Sequence, residues 1–211
     1  MKRVKERDTK SKEIRSPKPN AILLAALELF TRYGYRKTSI DDIARAAQVA
    51  KRTVYLHFEN KAAVFLAILQ YLEGQVRQRC VAAERMSGTA VDRLTGLLDA
   101  YFGMAFELFS KSAHMPELEE TFSKLARARI GNLNTEYEAR LARFLRSLEK
   151  AGEIKGPPRG LTVRQLIHIV VRAAEGAKHD PEVQGDRKAL KRRLRELAIL
   201  AIAAMKKNVS R

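Results

Sequence analysis

From residue 20 onward, apolar residues recur at spacings of three and four, and no stretch alternates apolar with polar at spacing two. That period matches the helical turn of 3.6 residues and leaves no strand to build a sheet from. Ile22, Leu23, Ala26, Leu27 and Phe30 form the first stripe. Pro17 and Pro19 precede it, as suits a helix start, and Gly34 stops it. Thr38 and Ser39 are N-cap types, Asp41 and Asp42 suit a first turn, and Ile40, Ile43, Ala44 and Ala47 give a helix of about two turns. A break near Gln48 and Val49 precedes a second short helix, Ala50 to His57. Glu59 and Asn60 offer a cap for a longer helix from Lys61, faced by Val64, Phe65, Ile68, Leu69, Leu72 and Val76.

The next predicted helix runs from Ala90 to Phe109, with a stripe wide enough for deep burial. Another starts at Pro116 and continues to Ala151, with a break predicted at Gly131. Residues 153–160 read as a loop. Helices over Thr162 to Lys178 and Asp186 to Lys206 complete the chain. The expected fold is all-α, about nine helices.

The net charge of +17 points to a polyanionic partner, nucleic acid before an anionic membrane surface. It does not place the site. The first 60 residues carry 14 Lys and Arg against 7 Asp and Glu, so most of the excess lies downstream. Residues 1–16 are basic and poor in large apolar side chains, which predicts a disordered arm; reach along DNA is the alternative role. Cys80 is the only cysteine, so no intrachain disulfide is expected. The basic N-terminus is not followed by an apolar segment, and no apolar run is long enough to span a bilayer. A cytoplasmic protein without membrane association is the expectation.

Catalysis is not expected. The chain has no Gly-rich phosphate loop, no nucleophile elbow, no metal-ligand cluster and no histidine placed to pair with Cys80. Glu175 and His179 stand one helical turn apart but lack a third ligand nearby in sequence. No catalytic residue, cofactor or metal is predicted.

Two short helices joined by a tight turn and packed on a third make a helix-turn-helix, whose second helix enters the major groove. The run from Ala44 to Lys61, ending Thr53-x-Tyr55-x-His57-Phe58-x-x-Lys61, closely resembles the signature of the TetR family of regulators. Leu29-Phe30 with Gly34-Tyr35, and Thr38-Ser39-Ile40 with Ile43-Ala44, fit the same pattern upstream. Beyond this N-terminal stretch the likeness is only in helical character and length.

The resemblance implies a tri-helical DNA-binding domain over 17–62 and a helical ligand-binding and dimerisation domain over 63–211. It places Lys51, Arg52 and Thr53 at the front of the recognition helix, toward base edges and phosphates. Tyr55 and His57 match residues that touch the DNA backbone, and Lys61 matches a phosphate-contacting lysine at a helix start. Ser39 is a further phosphate contact, and Arg45 adds charge near the backbone. Each has a plainer alternative: solvated charge for Lys51 and Arg52, packing for Tyr55, a structural role for His57. Two positions depart from the family pattern. Gln48 replaces a turn glycine, and Ala50 replaces a capping Ser or Thr, so a positive φ at 48 and an uncapped helix would both carry a cost.

The function so implied is a sequence-specific transcriptional regulator, a repressor released from a palindromic operator on double-stranded DNA by a small-molecule inducer. The alternative is a DNA-binding protein of the same family without an inducer, acting through a protein partner. The last two helices are the candidates for a homodimer interface, through Leu166, Ile167, Val170, Ala173 and Ala174 on one and Leu190, Leu194, Leu197, Ala201 and Met205 on the other. An intrachain core would show the same pattern. Tyr101, Phe102, Phe106, Met115, Phe122 and Tyr137 are candidates for the ligand cavity, with core packing as the competing role. An inducer held among the middle helices is expected to tilt the helix that begins at Lys61.

Overall fold

A computed structural model describes residues 19–183 and 185–205. The predicted arm over 1–16 and the predicted helix end at Lys206 lie outside the described residues. Nine α-helices and no strand occur among those described: α1 Pro19–Tyr33, α2 Ile40–Ala46, α3 Lys51–His57, α4 Lys61–Arg85, α5 Ala90–Leu98, α6 Met104–Phe109, α7 Met115–Lys150, α8 Val163–Ala177 and α9 Arg187–Ala204. A π-helical segment, Asp99–Gly103, joins α5 to α6, so these two make the single rod that the stripe from Ala90 to Phe109 predicts. Counted as rods, there are eight.

Helices α1 to α3 close around Ile22, Ala26, Phe30, Ile43 and Val54, with Val64, Phe65 and Ile68 of α4 completing the core. Helix α4 continues into the larger half, where α5 is central. Its Leu94, Leu97 and Leu98 are buried between α4 and α9. In the π segment the backbone gains a residue in one turn. Asp99 meets Arg187 of α9 there at 2.7 Å. A Cβ on Gly103 would crowd the ends of Arg187 and Asp99, so a larger residue there would make that pair shift.

Two expectations need correction. Helix α7 does not break at Gly131; its non-helical residue is Ala126 (φ −136°, ψ 15°). Gly131 faces open space, and a lone exposed glycine only weakens a helix whose flanks are otherwise held. The apolar stripes of α8 and α9 are consumed within the chain. Leu166, Ile167, Val170, Ala174, Leu190, Leu194, Ala201 and Met205 are buried, Leu197 is half-buried, and only Ala173 is exposed. The large apolar side chains left outward on these helices are Ile169, Ile199 and Leu200.

Candidate nucleic-acid interface and ligand cavity

Helix α2 begins with a reciprocal cap. The Asp42 amide donates to Ser39 Oγ at 3.1 Å, and the Ser39 amide donates to the Asp42 carboxylate at 3.0 Å. The Ser39 hydroxyl also donates to that carboxylate at 2.6 Å. These bonds hold the Asp42 carboxyl below its ordinary pKa. Ser39 is therefore a working cap in the position where the sequence suggested a phosphate contact. Arg45, near the end of α2, is exposed and reaches Asp42 at 3.5 Å.

The turn into α3 carries both departures noted above. Gln48 has a φ of 56°, and Ala50 caps α3 with no side-chain hydrogen bond. Within α3 only Val54 is fully buried. Lys51, Arg52, Tyr55 and His57 are exposed, and Thr53 is half-buried. Lys51 Nζ pairs with Asp41 of α2 at 2.7 Å, which raises the lysine pKa. Both side chains are about half exposed, so the pair is weak and open to exchange. Arg52 has no carboxylate partner among the described residues. Leu56, absent from the sequence-derived site, is the most exposed large apolar residue described. Its position opposite Val54 on the helical wheel was a readable signal.

Lys61 is placed differently from what a phosphate contact requires. Its ammonium donates to the carbonyls of Tyr35 at 2.8 Å, Thr38 at 2.9 Å and Arg36 at 3.3 Å. It also lies over the Tyr35 ring at 4.5 Å. Partial burial lowers its pKa, while the Glu117 carboxylate opposes that. All three protons are engaged, so this lysine clasps the loop between α1 and α2 to the start of α4.

Behind this unit lies a cavity of about 510 Å³ among α4, α6, α7 and α8. Of the six candidates named from the sequence, Tyr101, Met115 and Phe122 line it. Phe102, Phe106 and Tyr137 do not; all three are buried core. Tyr137 donates to the Leu97 carbonyl at 3.0 Å and stacks on Tyr101 at 4.4 Å. Tyr101 donates to Asn134, and burial pushes its phenol up to about 12. The sequence missed the contributions of Leu69, Leu72 and Val76 from α4, read there only as core, and of Arg172 and Lys178. Glu73 is also in the wall, neutralised by a two-pronged pair with Arg129 at 2.7 Å on each arm. Arg172 and Asn134 also border a second, more polar hollow of about 630 Å³ between α7 and α8.

The cavity wall and the helix-turn-helix core touch through aromatic rings. Phe30 meets Phe65 at 5.8 Å, Phe65 meets Phe122 at 4.9 Å, and Phe122 meets Phe109 at 6.0 Å. The start of α7 adds polar contacts. Glu117 accepts from the Arg36 amide at 2.5 Å, and Arg36 pairs with Glu120 at 2.6 Å.

Residues 22–68 match the model of the family described as bacterial regulatory proteins, tetR family. The fatty acid metabolism regulator protein of Bacillus subtilis is 30% identical over 88 residues, 42% of this chain and 45% of that protein. The transcriptional activator FasR of Mycolicibacterium smegmatis is 32% identical over 88 residues, 42% of this chain and 40% of its own length. The chain thus spans less than half the length of these curated relatives. Solved structures extend the likeness of fold. The fatty acid degradation regulator FadR of Bacillus halodurans superposes with a TM-score of 0.69 at 22% identity, covering 88% of this chain and 95% of that one. FadR of Bacillus subtilis, solved in complex with stearoyl-CoA, gives 0.61 at 23% identity, covering 88% and 98%. The signature run from Ala44 to Lys61 lies inside the matched stretch, from the end of α2 through α3 to the first residue of α4. The helix-turn-helix of this chain, residues 22–68, is that of the TetR family of bacterial regulatory proteins.

Proposed function

We propose that this protein is a cytoplasmic, homodimeric transcriptional repressor that binds a palindromic operator through α3 and releases it when a small amphiphile fills the cavity behind α4. The observation that carries the reading is α3 itself. It is a short helix anchored by one buried residue, Val54, with Lys51, Arg52, Tyr55 and His57 turned outward. Such a surface suits the major groove, where Lys and Arg match guanine acceptors and phosphate alike. One short helix reads few base pairs, and a second copy on a palindrome restores specificity. Ile169, Ala173, Ile199 and Leu200 supply the exposed apolar patch for pairing α8 and α9 across the two-fold axis.

The ligand reading rests on the cavity. Its volume suits a small ligand, and its lining is chiefly apolar, with Arg127, Arg172 and Lys178 beside Glu73, Glu119 and Glu175 among the polar residues. A long acyl chain joined to an anionic head fits that chemistry, and the Bacillus subtilis relative was solved with stearoyl-CoA. We extend the acyl-CoA class to this chain. Filling the cavity would press on Phe122 and Phe65, and hence on α4 and the core of the helix-turn-helix. Ligand and operator then oppose each other by one shared coupling energy.

The test selects bound sequences from a random duplex pool with wild type, Lys51→Ala and Tyr55→Ala, then titrates stearoyl-CoA against the wild-type complex. An enriched palindrome that the variants bind poorly, released by the acyl-CoA, is the expected result. Binding without an enriched sequence overturns the operator reading. An operator affinity unmoved by ligand overturns the inducer and leaves a regulator acting through a protein partner.

A further inference from the structure

Leu56 is the sixth residue of α3, and 73% of its surface is exposed. Single apolar residues on a surface are ordinary. This one occupies a particular line of a particular helix. With 3.6 residues per turn, the direction opposite the fully buried Val54 falls between Arg52 and Leu56. These two, four positions apart, form the outermost line of the helix. Lys51 and Tyr55 flank it on one side, Thr53 and His57 on the other. Nothing among the described residues shields it.

In the major groove the four base pairs differ in their donors and acceptors, and thymine alone presents an apolar group, the C5 methyl. A solvated leucine gains by covering a methyl and gains nothing from the polar edges of the other bases. Arg52, on the same line, has the fork that fits guanine. A recognition helix runs along the groove rather than along the duplex axis, and residues three to four apart on it meet successive bases.

We propose that Leu56 is a specificity-determining residue that packs on the C5 methyl of a thymine in each half-site, at the base pair next to a guanine contacted by Arg52. The inference rests on the reading of α3 as the recognition helix.

The test uses the full chain and the operator selected from the random pool. Each thymine of a half-site is replaced singly by deoxyuridine, which removes only the methyl, and affinity is measured for wild type, Leu56→Ala and Arg52→Ala. One thymine is expected to matter to wild type, with binding weakened about fourfold on loss of its methyl, the scale of one buried carbon. Leu56→Ala should be indifferent to that replacement, whereas Arg52→Ala should retain the dependence. Wild-type affinity unmoved at every thymine overturns the proposal and leaves the recognition helix standing. Equal sensitivity in Leu56→Ala also overturns it, because another residue then makes the contact. Failure to enrich any sequence overturns the recognition reading and this inference with it.

Discussion

Helices α2 and α3 are seven residues each and lie side by side, yet they are held by opposite means. Helix α2 is stabilised by its own ends. Ser39 and Asp42 cap each other, and Asp41 adds a second carboxylate to the first turn, where the helix dipole favours negative charge. Helix α3 has none of this. Ala50 gives no cap, Gln48 enters the turn at a φ that suits glycine, and Lys51 and Arg52 set positive charge at the positive end of the dipole. Val54, buried against the other helices, holds it in place. The difference shows how side chains are allotted. Those of α2 satisfy the fold, and those of α3 remain available to a partner.

That contrast can be broken or sharpened by substitution. The largest effect is expected from Lys61→Met, which keeps the stem and removes the ammonium that binds three carbonyls ahead of α2. Leaving those partly buried acceptors without a donor should cost roughly 2 kcal/mol in chemical denaturation, with an unchanged denaturant slope. Ser39→Ala should remove about 1 kcal/mol by undoing the α2 cap. It should also flatten the acid side of the stability profile. The folded-state pKa of Asp42 is depressed, so its contribution is present in full above the ordinary carboxylate pKa. It is lost as the pH falls through the lowered value. Unfolding followed from neutral to acid pH in both proteins reads that difference.

Ala50→Ser is the mirror experiment. It gives α3 the missing cap and should add about 1 kcal/mol. The selected DNA sequence should not change, since position 50 precedes the outward face. A shifted preference would show that the helix start itself takes part in reading. Gln48→Gly should give the smallest gain, about 0.5 kcal/mol, because relief of the left-handed backbone is partly offset by the added freedom of the unfolded chain. A loss there would mean that the Gln48 side chain does something its backbone angle conceals.

Local chemistry was legible in the residues, and non-local geometry was not. The caps at Ser39, Asn60, Thr162 and Asp186 stand where the sequence put helix starts, because a cap is a matter of a few adjacent residues. The costs foreseen at Gln48 and Ala50 have visible counterparts for the same reason. Periodicity also gave the rod from Ala90 to Phe109, but not the π segment inside it, whose Asp99 pairs with Arg187 arriving from α9. The cavity was half legible. An apolar stripe marks the side chains that leave water, but Phe102 and Tyr101 differ only in whether the next atom inward is protein or empty space. The candidate DNA residues came from the family signature, which is silent on Leu56 and on where the protons of Lys61 go.

The extra residue in the turn at Asp99–Gly103 acts as a phase shift. It rotates everything downstream by about 100° relative to an uninterrupted helix. Leu94 and Leu98 can then face the core while Met104, Leu108 and Phe109, on the same rod, border the cavity. The wall of the cavity is thus set by counting as well as by composition. Point changes within it alter its lining, whereas deletion of one residue from the turn would swing the α6 side of the wall away and leave the stripe of Ala90 to Leu98 undisturbed.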